Sequence, residues 1–146
     1  MSKKNHVFAT LDEQNYYTRI RGNNHVYYVD EPESGGGQNK APHPTAYLLG
    51  ALASCTAITI RMYAQRKDWD IGEIEVSAKK VEEMTNEGKQ VKIVKQITFG
   101  NKELTELEVS RLLKIGKKCP ISLLLKNETQ MEFEVVDQLE ESTEKE

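Results

Sequence analysis

Cys55 and Cys119 are the side chains of this 146-residue sequence best suited to covalent chemistry. A thiol attacks only as its thiolate, and an unperturbed cysteine titrates near ~8.5, so either residue needs help from its surroundings at neutral pH. Cys55 lies in Leu52-Ala53-Ser54-Cys55-Thr56-Ala57. On a helix it shares a stripe with Leu48, Leu52, Thr59 and Met62. It stands about three turns in, beyond the reach of the helix N-terminus, whose influence fades within the first turn. A cation would have to come from another segment. Arg19 and Arg21 are two residues apart and share one face of a strand, so they are candidates; a solvated strand face suits them better still. Cys119 precedes Pro120 and would cap a new helix, where unpaired backbone donors favour an anionic sulfur. If the two thiols meet, a sulfenic acid on one can condense with the other to a disulfide. Otherwise they are two unrelated core cysteines acting as small hydrophobes.

Other chemistries find less support. His6, His25 and His43 have no ligand spacing with either cysteine, so no metal site is expected. Gly35-Gly36-Gly37-Gln38-Asn39-Lys40 lacks the Gly-Lys-Ser/Thr ending of a phosphate loop, and no cofactor is expected. With 20 Lys+Arg against 23 Asp+Glu and a pI near 5.7, the chain has no basic signature for nucleic acid. Two cysteines are too few for a disulfide scaffold, and the polar residues 1–6 do not resemble a signal peptide. The expectation is a reducing, cytoplasmic location. The apolar run Ala46 to Ile60 falls short of the ~20 residues of a membrane span, so none is expected.

These thiols need elements to hold them. Asn15 to Arg21 and His25 to Asp30 flank Gly22-Asn23-Asn24, which favours a β-hairpin. The Gly35–Lys40 segment reads as a flexible loop closed by Pro42-His43-Pro44. From Thr45 to about Arg66 the sequence is helical and apolar on most sides, as for a helix at the centre of a fold. Gly50, Ala53 (or Ser54) and Ala57 would admit a close neighbour along one side, which hints at an oligomer. Ile74 to Val81 and Val91 to Phe99 read as strands joined by a turn-rich connection, Glu82 to Lys89. Lys95 interrupts the apolar set of the second and is read as an edge position. Thr105 with Glu108 fits a capping box for a helix to about Lys118. A short helix over Ile121 to Leu125 follows, then a last strand in which Met131, Phe133 and Val135 alternate with Glu132 and Glu134. The order is α+β rather than doubly wound α/β, in one domain over residues 1–146 with a frayed acidic tail from about 138.

The segment Pro42 to Ala57, continued by Ile60 to Trp69, resembles the first-cysteine region of the OsmC and organic-hydroperoxide-resistance (Ohr) family. Cys119-Pro120-Ile121-Ser122 is similar to that family's Cys-Pro-Val-Ser segment, and Asp30-Glu31-Pro32 agrees as well. The resemblance runs from about residue 15 to 136. It implies an intertwined homodimer with β-sheets wrapped around two central helices and active sites at the subunit interface. It also implies reduction of organic hydroperoxides or hydrogen peroxide: Cys55 becomes a sulfenic acid, Cys119 captures it, and a dithiol such as a lipoyl group, or another thiol, restores the pair. Peroxidase members carry a glutamate one or two residues after the helix-starting proline that orients an arginine; here those positions are Thr45 and Ala46. The alternative is a non-catalytic dimer of the same fold that binds a small apolar or thiol-containing ligand at its interface.

Overall fold

Two consecutive asparagines set the first hairpin. Asn23 and Asn24 have φ of 49° and 59°, the left-handed pair that a two-residue turn needs to match strand twist. In the computed structural model, which describes residues 5–140, that turn joins β2 (Thr18–Gly22) to β3 (His25–Val29), with Gly22 opposite His25. A third strand, β1 (Phe8–Thr10), pairs antiparallel with β2. Its three residues are too few to show an alternation in the sequence.

The chain divides into two compact units, one holding the residues up to Tyr47 and those from Met131 onward, the other Leu48–Gln130. In the first unit, the glycine-rich loop after β3 is tied down rather than free. A 3-10 turn over Glu33–Gly35 opens it, and the buried Asp30 carboxylate accepts backbone N–H groups from Glu31, Gln38 and Lys40 at 2.8, 3.3 and 3.0 Å. Those donors, that of Lys40 foremost, outweigh burial and hold the carboxyl below its ordinary pKa. Tyr17 stacks on Tyr28 at 5.1 Å, and the Tyr47 hydroxyl donates to the Tyr28 carbonyl.

Helix α1 (Pro44–Arg66) starts with Pro44 in its first turn, where a missing N–H costs nothing. At 23 residues it has the bounds the sequence predicts, and by length and composition, unlike the apolar run Ala46 to Ile60 alone, it could cross a membrane, a test that core helices of soluble proteins also pass. Its burial is narrower than expected. Only Leu52, Thr56, Ile60 and Ala64, one i, i+4 stripe, are buried within the chain, while Leu48, Ile58 and Met62 are about half exposed. Nothing fills the space beside Gly50. Within the chain, the close helix approach is at Gly116.

In the second unit β4 (Ile74–Thr85) and β5 (Gly88–Phe99) form a twelve-residue antiparallel hairpin. The expected turn-rich connection shrinks to Asn86-Glu87, because Glu82 and Glu83 sit in the ladder with Lys89 and Lys92 as ion-pair partners. The capping box of α2 (Glu106–Gly116) forms as the sequence predicts: Glu108 N–H donates to Thr105 Oγ1 at 3.1 Å, and Thr105 N–H to Glu108 Oε2 at 2.8 Å. Helix α3 (Pro120–Lys126) follows. Ile60, Ala64, Ile71, Phe99 and Leu112 make the core of this unit, with Tyr63, Trp69 and Ile97 packed around it. Gly116 lets α2 meet α1: a Cβ there would lie 2.9 Å from Ile60 Cδ1 and 3.3 Å from Thr56 Cγ2.

The last strand is absent among the described residues. Met131, Phe133 and Val135 have no regular structure and are almost fully exposed. A strand needs an edge to pair with, and no described strand takes this segment as a neighbour. The acidic tail from 141 lies outside the described residues. The architecture is α+β with antiparallel sheets, as the element order predicts.

Candidate active site

Cys119 is placed by two adjacent events in the chain. Gly116 ends α2 against α1, and Pro120 forces the preceding residue into an extended conformation, φ −61° and ψ 149°, that makes Cys119 the N-cap of α3. Its sulfur does the work usually given to a serine or aspartate oxygen. Ser122 N–H donates to Sγ at 3.4 Å, the Ser122 hydroxyl lies 2.9 Å from Sγ, and the Thr56 hydroxyl 3.5 Å. Cys119 is fully buried, and so, nearly, are Thr56 and Ser122.

Lys95 completes this cluster. Its strand-mates Val91, Ile93, Ile97 and Phe99 point to the same face of β5, so Lys95, although on an edge strand of a two-stranded sheet, points inward. Its ammonium donates to Ser122 Oγ at 2.9 Å, Thr56 Oγ1 at 3.1 Å and the Gly116 carbonyl at 3.3 Å. Three donors meet three acceptors, each on a different segment. The signal was present in the sequence as a lysine in phase with an apolar alternation; its partners were not.

The two thiols, 64 residues apart in sequence, are neighbours that are not joined as a disulfide: Thr56, the residue after Cys55, brings its hydroxyl to 3.5 Å from Cys119 Sγ, and each sulfur shifts the other's proton affinity. Cys55 is half-buried on α1 and Cys119 is beneath it in accessibility, so Cys55 is the sulfur a reagent can reach. Their proton affinities diverge. Burial opposes the charged form of Cys119, but the Ser122 hydroxyl, the Thr56 hydroxyl, Ser122 N–H and the Cys55 thiol all donate to it, bringing it down to about 7. Burial raises Cys55; the Ile121 N–H acts against this, and the adjacent Cys119 sulfur reinforces it. The reduced pair therefore holds one proton readily and the second poorly.

Arg19 and Arg21 belong to the first unit, on β2. Arg19 is exposed, opposite Tyr28; Arg21 is half-buried with its guanidinium 4.1 Å over the Phe8 ring. Both cysteines, Thr56, Lys95 and Ser122 belong to the second unit. There, a cleft of about 300 Å³ opens beside the cluster, walled by Leu52, Val91, Ile93 and Leu125 and edged by Lys95, Lys117, Ser122 and Lys126. Among the described residues no group of His, Cys, Asp or Glu has the geometry to hold a metal ion.

The family model described as OsmC-like protein matches residues 37–134, which include both cysteines. The chain belongs to the OsmC-like protein family. Solved structures of this family share its fold at low identity. An OsmC-like protein from Mycoplasma pneumoniae superimposes with a TM-score of 0.65 at 22% identity, covering 86% of this chain and 89% of that one. The organic hydroperoxide resistance protein OsmC from Legionella pneumophila gives 0.61 at 17% identity over 82% and 87%. OhrB of Bacillus subtilis, an organic hydroperoxide resistance protein, gives 0.58 at 14% identity over 84% and 90%. No curated protein sequence matches the chain. The family is one associated with hydroperoxide resistance and stress response.

Proposed function

We propose that this protein is a thiol-dependent reductase of organic hydroperoxides or hydrogen peroxide, acting in oxidative-stress defence through Cys55 and Cys119. The observation that carries the reading is a buried Cys119 sulfur held by the Ser122 and Thr56 hydroxyls beside the more accessible Cys55, two free thiols of unlike proton affinity. Cys55, the accessible sulfur, attacks the terminal peroxide oxygen; the O–O bond breaks, the alcohol leaves, and Cys55 becomes a sulfenic acid. Cys119 then attacks the sulfenic sulfur, displacing water and closing a disulfide. Two electrons pass from the two sulfurs to the peroxide. A dithiol such as a lipoyl group, or another thiol, re-reduces the pair. The apolar walls of the neighbouring cleft suit an organic rather than an ionic peroxide.

The working unit in this reading is a soluble, cytoplasmic homodimer. Its support is the apolar surface that a single chain leaves open on α1 and at Met131, Phe133 and Val135. A role for Arg19 or Arg21 rests only on their shared face of β2 and not on the family resemblance, which brings neither into the place of its arginine. The test is stoichiometric: fully reduced protein should consume one equivalent of an alkyl hydroperoxide and lose two free thiols, and Cys55→Ala should abolish both. Consumption by Cys55→Ala at the parent rate would refute the assignment.

A further inference from the structure

The family's usual activating glutamate is replaced by Thr45 and Ala46, yet a cation does stand in the cysteine cluster, on a different element. An ammonium can only donate, so the Ser122 hydroxyl must accept from Lys95 and has one proton left to give. Its remaining neighbour is Cys119 Sγ at 2.9 Å. Thr56 is less committed: it also accepts from Lys95, and its single proton is shared between the Leu52 carbonyl at 2.9 Å and Sγ at 3.5 Å. Ser122 N–H adds a third donor from a fixed backbone position. Ser122 is thus a donor to Cys119 through both its hydroxyl and its N–H, which suits a sulfur without its proton. Cys55 is the group left to carry it.

We propose that Lys95 is a positioning residue of the thiol pair: by holding the Ser122 hydroxyl as a donor it keeps the negative charge of the reduced pair on Cys119, which then serves as the base for Cys55. The base role rests on the peroxidase reading above; the charge assignment does not. In the reaction, the Cys55 Sγ–H proton passes to Cys119 Sγ as Cys55 Sγ bonds to the peroxide oxygen. The departing alkoxide takes that proton back from Cys119 and leaves as the alcohol. Cys119, again a thiolate, attacks the sulfenic sulfur, and the hydroxide released takes a proton from solvent. The same side chain therefore deprotonates the nucleophile, protonates the leaving group and closes the disulfide. Charged and titratable groups around it are Cys55 from α1, Lys95 from β5, Lys126 from α3 and Lys117 from the α2–α3 connection, the two latter lining the same cleft.

The test is a pH titration of thiolate ultraviolet absorbance on the reduced full-length protein, with far-ultraviolet circular dichroism as the check on folding. The parent should show one thiolate forming near pH 7. Cys55→Ser should keep a titration well below the ~8.5 of a free thiol, and Cys119→Ser should lose it. Lys95→Met should return the titration towards ~8.5, lowering the thiolate present at pH 7 by roughly tenfold or more. Lys95→Arg, which retains N–H donors, should restore most of the depression and decides the case if Lys95→Met does not fold. The proposal is overturned if the low titration survives in Cys119→Ser, if folded Lys95→Met titrates like the parent, or if folded Lys95→Arg titrates like a free thiol. A parent protein that titrates as expected but consumes no hydroperoxide overturns the peroxidase reading alone and leaves the charge assignment standing.

Discussion

Replacing Ser122 by alanine removes one atom from the Cys119 environment and leaves its backbone N–H donor, 3.4 Å from Sγ, in place. The lost bond is the 2.9 Å contact between the hydroxyl and Sγ. A hydrogen bond to a charged group contributes about 1.5–3 kcal/mol. At 1.36 kcal/mol per pKa unit, its loss should raise Cys119 by about 1–2 units. The titration should therefore move from about 7 to the free-thiol range near ~8.5. A Cys55→Ser background leaves a single thiol to follow by thiolate absorbance. Stability supplies an independent readout. The Cys119 pKa is lower in the folded than in the unfolded chain, so its contribution is complete above ~8.5 and is lost as pH falls through about 7. In that background, urea unfolding should show stability rising by up to about 2 kcal/mol from mildly acidic to alkaline pH, and Ser122→Ala should flatten the rise. A titration that moves by less than about 0.3 unit would refute the reasoning, since the hydroxyl would then contribute well under 1 kcal/mol.

Leu112 is fully buried in the core of the second unit, and Leu112→Ala should cost about 2–5 kcal/mol in urea unfolding, with a loss below 1 kcal/mol contradicting the core assignment. Gly116→Ala places a methyl 2.9 Å from Ile60 Cδ1 and should destabilise by about 1–3 kcal/mol despite alanine's better helix propensity; a more stable variant would show that α1 and α2 do not meet as described. Asp30→Asn removes the charge that Lys40, Glu31 and Gln38 N–H groups converge on, so amide exchange at Gln38 and Lys40 should accelerate at neutral pH. Because the Asp30 pKa is depressed, the same loosening should appear in the parent only as pH falls below the ordinary carboxylate range; unchanged exchange in the variant would show that the loop is held by other contacts.

Elements governed by local chemistry were legible in the sequence. The asparagine pair, Pro44, the Thr105 and Glu108 capping box and the Cys119-Pro120 start of α3 each act within a few residues, and each sets the local structure as read. The Gly35–Lys40 loop was misread because its anchor, Asp30, is remote in sequence by up to ten positions. Met131, Phe133 and Val135 alternate as a strand should, but alternation describes a face and not the edge that must receive it. The candidate site divides the same way. Both cysteines and the capping position of Cys119 were visible, whereas Lys95 acts on it only through hydroxyls from α1 and α3. No spacing rule encodes a hydrogen bond across 27 residues.

Capping a helix with sulfur has a thermodynamic consequence for the pair's redox poise. Once Cys119 Sγ enters a disulfide it carries no charge, and the Ser122 donors that start α3 lose their best acceptor. That stabilisation belongs to the reduced, ionised form alone. A thiolate favoured by about 2 kcal/mol corresponds to a two-electron reduction potential raised by up to about 40 mV at alkaline pH, and by less near neutrality where the thiol is only half ionised. In the proposed couple, the first turn of α3 would thus favour the dithiol, and a mild reductant would suffice to regenerate it.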